Sequence, residues 1–426
     1  MANTNVIFQV LAEQKEEIKN YNSRHWTSRR EEELFELDST LAQVVIGVRR
    51  SGKSTLCHKV LQDNKINYAY VNFDDDRLAN IQTEDLNTVL SCVYQLYGTD
   101  VSYLFLDEIQ NVDGWYLFVN RLLRTQIHIV VTGSNAKLLS GELATHLTGR
   151  YNEIRLYPFS FSEFCTFHKI DKSGVTTKAD ANRKMAFMEY INNGGFPEIQ
   201  HIRNKRGYVE SLLEAILAKD IKKRFKIRNI EALRKIAHYL INNSCQEINY
   251  DALAQEFNLS DKTIQKYVSY LQQAFMVQLL TKHSYKSRVR IRGAKSYIID
   301  PGMLNNRDNS MAAENIGWRL ENIVFLEILR RNARAFLDVY YYRPGSTDKE
   351  VDFVVCERSV TTQLIQVAYD ISVPKTYKRE TSALISASQK LKCDNLTLIA
   401  FTETRDVEIE DKTIHIISAI DWLLQK

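Results

Sequence analysis

The chain has 426 residues, 44% hydrophobic and 25% charged, which is the size and make-up of roughly two to four globular domains. A net charge of only +4 excludes a global electrostatic affinity for nucleic acid, so any basic surface must be local. Six scattered cysteines with no C-x-x-C pair argue against a disulfide framework or a zinc site and suit a reducing cytosol. Residues 1–10 lack the core of a signal peptide, and no stretch approaches the roughly 18 apolar residues of a bilayer span, so a cytoplasmic protein without membrane contact is expected.

After a helical lead-in, the first strong signal is an apolar strand over 41–46 running into Gly47-Val48-Arg49-Arg50-Ser51-Gly52-Lys53-Ser54-Thr55. This is a complete G-x-x-x-x-G-K-[ST] loop, and a helix pattern begins at Ser54. Gly47 and Gly52 allow a tight turn that aims backbone N–H groups at phosphate oxygens, Lys53 adds a point charge, and Ser54 offers a hydroxyl to Mg²⁺. Arg49, Arg50, Ser51 and Thr55 belong to the same nucleotide-contacting loop, where either arginine can add charge in cis. A strand over 67–73 ends in Asp74-Asp75-Asp76, a run that suits a solvated strand end, with assistance to Mg²⁺ as the other reading. The strand 103–107 ends in Asp107-Glu108: Asp107 is placed to hold Mg²⁺, and Glu108 to orient the attacking water. A third strand over 128–135 ends in small polar residues, of which Thr132, Ser134 and Asn135 are candidates to sense the terminal phosphate or the water. The expected cofactors are ATP and Mg²⁺.

The loop, the acidic strand end and this sensor strand resemble those of AAA-type ATPases. More specifically, Leu138-Leu139-Ser140, Leu147-Thr148-Gly149-Arg150-Tyr151, Tyr157-Pro158-Phe159-Ser160-Phe161-Ser162-Glu163-Phe164 and Asn193-Gly194-Gly195-Phe196-Pro197-Glu198 resemble a widespread prokaryotic family. Its members join an AAA-like ATPase module to a helical segment, a winged-helix-like region and a C-terminal nuclease-like domain. The resemblance implies an α/β P-loop NTPase with a parallel sheet over 1–158, a helical lid over 159–230, a winged helix over 231–305 and a restriction-endonuclease-like α/β domain over 306–426. It also makes Arg150 a candidate arginine finger toward a neighbouring subunit, and hence implies a nucleotide-dependent homo-oligomer; an ion pair with Glu153 is the alternative.

From 159 to 228 the apolar spacing is helical, as in Tyr208, Leu212, Leu213, Ile216 and Leu217, broken by the turn Gly194-Gly195-Phe196-Pro197. The basic run 219–228 that follows reads as a solvated face or a phosphate contact. Residues 233–300 read as a winged helix, with helices over 234–241, 250–257 and 262–274, Ser260 as N-cap of the third, and strands over 276–282 and 295–299. Lys262, Gln265 and Lys266 on the third helix, with Lys286, Arg288, Arg290 and Arg292 in the wing, fit DNA; use of the winged helix for packing or protein contacts is the other reading.

The C-terminal order is a helix over 314–334, strands over 339–343, 350–356 and 363–369, a helix, and a strand over 396–401. It resembles the PD-(D/E)XK nucleases, whose metal-holding acids match Glu321 and Asp352. Where Glu-x-Lys is expected the chain reads Gln366-Val367-Ala368, which supplies neither the second charge nor an ammonium group. Lys375 lies in the next turn, but nothing requires it to reach in. The domain is therefore expected to be a degenerate nuclease that binds or assembles. The expected function is an ATP-hydrolysing switch or motor that engages DNA through its C-terminal half. A regulatory ATPase with protein partners, or an ATP-gated nuclease, are the alternatives.

Overall fold

A computed structural model describes residues 3–21, 26–133, 146–284, 293–305, 316–333, 335, 337–345 and 349–425. The chain divides into two units, Met1–Tyr157 and Pro158–Lys426.

In the first unit, α1 (Thr4–Tyr21) precedes β1 (Ala42–Ile46), α2 (Lys53–Asp63), β2 (Tyr68–Asn72), α3 (Leu86–Tyr97), β3 (Tyr103–Asp107), α4 (Trp115–Arg124), β4 (His128–Gly133) and β5 (Tyr151–Arg155). The five strands form one sheet in the order β2-β3-β4-β1-β5, and every pairing is parallel. Parallel strands need crossovers that bury both faces, which is why β1 and most of β2, β3 and β4 are buried rather than alternating. On one face Val45, Tyr70, Phe105, Val130 and Ile154 pack with Leu56, Cys57, Val60 and Leu61 of α2. His58 of α2 is buried in this layer against Tyr68, with Nδ1 2.8 Å from the phenol oxygen, and burial lowers its pKa to about 4.

The outer edge of β2 is met by α1. Gln14 Nε2 donates to Asn72 O at 3.1 Å, and Asn72 N donates to Gln14 Oε1 at 3.0 Å. The parallel order brings the C-terminal ends of β1, β3 and β4 to one edge of the sheet, where ligands of open α/β sheets bind.

The second unit begins with α5 (Phe161–Phe167), α6 (Thr177–Asn193) and α7 (Lys205–Ala215), followed by a π-helical turn over Ile216–Lys222. Three helices follow, α8 (Ile230–Asn242), α9 (Tyr250–Glu256) and α10 (Asp261–Gln273), and then the antiparallel pair β6 (Val277–Thr281) and β7 (Ala294–Ile298). Ser260 caps α10, accepting from Thr263 N at 3.1 Å. Next come α11 (Ile316–Arg331), β8 (Asp338–Tyr342), β9 (Val351–Glu357), β10 (Val360–Ala368), α12 (Pro374–Leu391) and β11 (Leu396–Ala400). Two strands and a helix that the sequence pattern did not suggest complete the fold: β12 (Arg405–Ile409), β13 (Lys412–Ser418) and α13 (Ala419–Leu424).

The C-terminal strands form a mixed sheet in the order β12-β13-β11-β10-β9-β8. One of its faces contributes Phe353, Ile365 and Ile399 to a core shared with Ile323, Val324 and Ile328 of α11; the other contributes Val354, Leu364 and Leu398 against Leu384 and Ala387 of α12.

The turn Gly194-Gly195 is held by a buried carboxylate. Gly195 N donates to Asp300 Oδ2 at 2.7 Å and Gly302 N to Asp300 Oδ1 at 2.9 Å. Gly194 has φ +76°, and a Cβ there would lie 1.7 Å from Asp300 Oδ1, so only glycine fits. Burial raises the Asp300 pKa to about 7 against the pull of these two N–H donors. The folded chain therefore prefers protonated Asp300. Its contribution to stability is complete below the ordinary aspartate pKa of about 3.9 and is lost as pH rises through about 7. Asp300→Asn is expected to flatten the fall in melting temperature between about pH 4 and about pH 7; a variant with the wild-type slope would contradict this account.

Candidate functional site

The loop after β1 is braced from beneath. A Cβ on Gly47 would lie 2.1 Å from Leu156 O, so the backbone can pass there only as glycine. Gly52, at φ +96°, opens α2. Arg29, which the sequence reading did not single out, is buried and donates from Nη1 to Ser51 O at 3.3 Å and from Nη2 to Tyr157 O at 2.6 Å. Lys53 is buried, and its Nζ donates to Gly47 O at 3.2 Å and Val48 O at 3.0 Å. Ser51 Oγ is buried with no hydrogen-bond partner among the described residues. Arg50 has φ +65° and is exposed, Arg49 is half-buried, and Ser54 and Thr55 lie in the first turn of α2.

Asp107, at the end of β3, is buried and gathers three hydroxyls. Ser54 Oγ donates to its Oδ1 at 3.0 Å, Tyr70 Oη to its Oδ2 at 3.0 Å, and Thr132 Oγ1 to Oδ1. Burial and the neighbouring Glu108 push its pKa up to about 6, while the three donors pull the other way. Thr132 also accepts from Glu108 N at 3.2 Å. Its hydroxyl thus faces the acidic pair, where the sequence had made it a phosphate or water sensor. Glu108 sits in the left-handed region at φ +53°, and its carboxylate accepts from Gln110 Nε2. Ser134 and Asn135 lie outside the described residues.

The loop, Asp107, Glu108 and Thr132 are therefore brought together, with Tyr70, Gln110 and Arg29 as additions. Tyr70 had a legible signal, a tyrosine in the strand run before the Asp74–Asp76 acids, but its role depends on β2 lying beside β3. Arg150 is elsewhere. Its carbonyl accepts from Ala42 N at 3.1 Å, at the opposite end of β1 from the loop and about 13 Å away at the usual rise per residue. It is exposed and lines a pocket of about 550 Å³ with Arg121 and Arg124. Glu153 is paired with Arg155 at 2.7 Å.

In the second unit, Glu321, Asp352 and Gln366 line one cavity of about 1220 Å³, together with Glu350 and Glu380. Gln366 is buried: its Oε1 accepts from Asp352 N at 3.3 Å and its Nε2 donates to Glu380 Oε2 at 2.7 Å. Asp352 Oδ2 accepts from Val367 N at 2.8 Å. Ala368 is buried beside them, and Lys375 is exposed in the cavity wall. The ammonium absent from β10 arrives from another element: Lys295 of β7 is buried and pairs with Glu350 and with Glu321 at 3.3 Å. Burial raises the pKa of Glu321 and of Asp352; it would lower that of Lys295, but Glu321, Glu350 and Asp352 hold it above the ordinary lysine range.

Lys262, Gln265 and Lys266 are exposed on α10, with Gln265 Nε2 donating to Asp261 at 2.7 Å. Lys286, Arg288, Arg290 and Arg292 lie outside the described residues. All six cysteines are free and buried. Among the described residues no helix is long and apolar enough to cross a membrane.

A family model described as an AAA domain matches residues 39–165. An uncharacterised protein of Methanocaldococcus jannaschii is 34% identical over 394 residues, which cover 89% of this chain and 87% of that protein. The chain belongs to this AAA-domain family. A second uncharacterised relative of the AAA-domain chain, from Haemophilus influenzae, is 32% identical over 405 residues, 91% of this chain and 95% of its own. Two domains of unknown function, DUF8612 and DUF4143, match residues 184–313 and 317–421. Among solved structures, the Walker-type ATPase of Pyrococcus abyssi is similar over 67% of this chain and 99% of its own, at 16% identity and a TM-score of 0.44. The matched AAA segment contains every strand of the parallel sheet, so the first unit is an AAA-type P-loop domain.

Thr132→Val keeps the shape of the side chain and removes its hydroxyl from Asp107 and Glu108. It is expected to weaken Mg²⁺-dependent nucleotide affinity by about 10–100-fold, read by titrating a fluorescent ATP analogue with and without Mg²⁺. Unchanged Mg²⁺ dependence would remove Thr132 from the site.

Proposed function

We propose that the chain hydrolyses ATP with Mg²⁺ and uses the nucleotide state as a switch read by its second unit. The observation that carries this is the Asp107 carboxylate accepting from Ser54 at 3.0 Å, which joins the phosphate loop to the acidic strand end. The residues suit both ligands. The partnerless Ser51 Oγ and the loop's backbone donors suit phosphate oxygens, and Ser54 and Asp107 together offer the oxygen donors that Mg²⁺ prefers. When bound, Mg²⁺ supplies positive charge to the phosphate oxygens. Lys53 then exchanges its carbonyl partners for phosphate, Glu108 orients water, and Thr132 holds the acidic pair in register.

In this reading Arg150 acts on the site of a neighbouring copy. Its position at the far end of β1 and its cluster with Arg121 and Arg124 favour that over action in cis. Segments 159–230, 231–305 and 306–426 then serve as lid, winged helix and nuclease-like binding module, in a reducing cytoplasm. DNA is the favoured partner, because Lys262, Gln265 and Lys266 are exposed on α10. One observation favours a protein partner instead: Glu247, Asp251 and Asp261 line a pocket of about 370 Å³ that includes Gln265.

Glu108→Gln is expected to bind ATP and to hydrolyse it about 10²–10⁴-fold more slowly, and Lys53→Ala to lose binding; undiminished turnover in Glu108→Gln would sink the assignment. Retardation of duplex or single-stranded DNA at low salt, weakened by charge reversal at Lys262 and Lys266, separates the two partner readings. Stimulation of turnover only by protein would favour the second.

A further inference from the structure

Lys295 is a strand residue held in place by its neighbours. Asn322 of α11 binds both backbone groups of Ile298 in β7, with Oδ1 accepting from Ile298 N at 2.8 Å and Nδ2 donating to Ile298 O at 2.8 Å. That clamp fixes the register of β7 against α11. Tyr297 then donates to Glu321 Oε1 at 2.7 Å, and the Lys295 ammonium reaches Glu350 and Glu321. The ammonium also lies 5.4 Å from the centre of the Tyr341 ring, whose face favours a cation.

Buried carboxylates this close together need a positive charge among them, whether a metal ion or an ammonium. Here Lys295 supplies one from within the protein, bridging Glu321 and Glu350, while the more exposed Arg343 meets Glu350 from the cavity wall at 3.0 Å. We propose that the Lys295 ammonium is the resident cation of the Glu321–Glu350–Asp352 cluster, standing where a divalent metal would otherwise be held. The cation is covalently tied to β7, so the charge of the cavity floor is coupled to the two-stranded sheet rather than to metal supply. The inference rests on reading the second unit as a binding module rather than a nuclease.

The test is saturable Mn²⁺ binding to the full chain, followed by electron paramagnetic resonance and thermal shift. An Asp107→Ala background silences the first-unit site. The chain with Lys295 intact is expected to bind no Mn²⁺ saturably. Lys295→Met is expected to gain saturable binding, lost again when Asp352→Asn is added, and Lys295→Arg to remain metal-free. Saturable binding by the Lys295 chain that Asp352→Asn abolishes would overturn the inference, as would a folded Lys295→Met that gains none. If Lys295→Met is unfolded without metal, recovery of its melting transition by Mn²⁺ supports the inference and no recovery overturns it. DNA cleavage with Mn²⁺ is scored separately. Cleavage lost with Asp352→Asn defeats the binding-module reading; metal binding without cleavage defeats only the role given to Lys295.

Discussion

The first unit is organised around a single buried carboxylate. Asp107 is removed from water at the end of a central strand, and a charge in that position is tolerated only if donors replace the lost hydration. Three hydroxyls do so, from α2, β2 and β4. Each comes from a different element, so the phosphate loop and two strands must be in register for any of them to bond. The register observed, Val45 beside Thr132 and Asn72 beside Asp107, meets that condition. A one-residue slip of β2 or β4 would turn Tyr70 or Thr132 to the opposite face. The same network holds Glu108, whose left-handed backbone is a conformation that few side chains other than glycine adopt without cost.

The second unit meets the same difficulty mainly with ions, with the hydroxyl of Tyr297 beside them. Its cavity gathers Glu321, Glu350, Asp352 and Glu380, and compensates them with Lys295, Arg343, Arg379, Gln366, the Tyr297 hydroxyl and the Val367 N–H. Removing one partner of a buried pair typically costs about 3–5 kcal/mol, because the other is left charged and dry. The buried carboxylates Glu321, Asp352 and Glu380 are therefore structural.

What the sequence made legible follows from how local each signal is. The loop from Gly47 to Thr55 and the pair Asp107-Glu108 are contiguous motifs, and their neighbours in the chain are their neighbours in space. Tyr70, Arg29 and Lys295 are different. Tyr70 matters because β2 lies beside β3, Arg29 because the chain returns at Tyr157, and Lys295 because α11 clamps β7. None of those adjacencies is written in residue spacing. Thr132 ends an apolar strand, but the direction of its hydroxyl depends on an aspartate in another strand. The last two strands were missed for a further reason: β12 is mostly exposed, and its Arg-Asp-Val-Glu-Ile pattern has too few apolar positions to read as a strand until β13 pairs with it.

The glutamine bracket on β2 has a consequence for assembly. Gln14 occupies both the last amide and the last carbonyl of that edge strand, at the same end of the sheet as the phosphate loop. An incoming strand finds those groups already taken, so the sheet cannot be lengthened there by backbone pairing. A second copy that approaches the phosphate end from this side must make contact through side chains and electrostatics. Contacts of that kind can form and dissolve as the charge of the bound nucleotide changes, whereas an added strand would tend to stay.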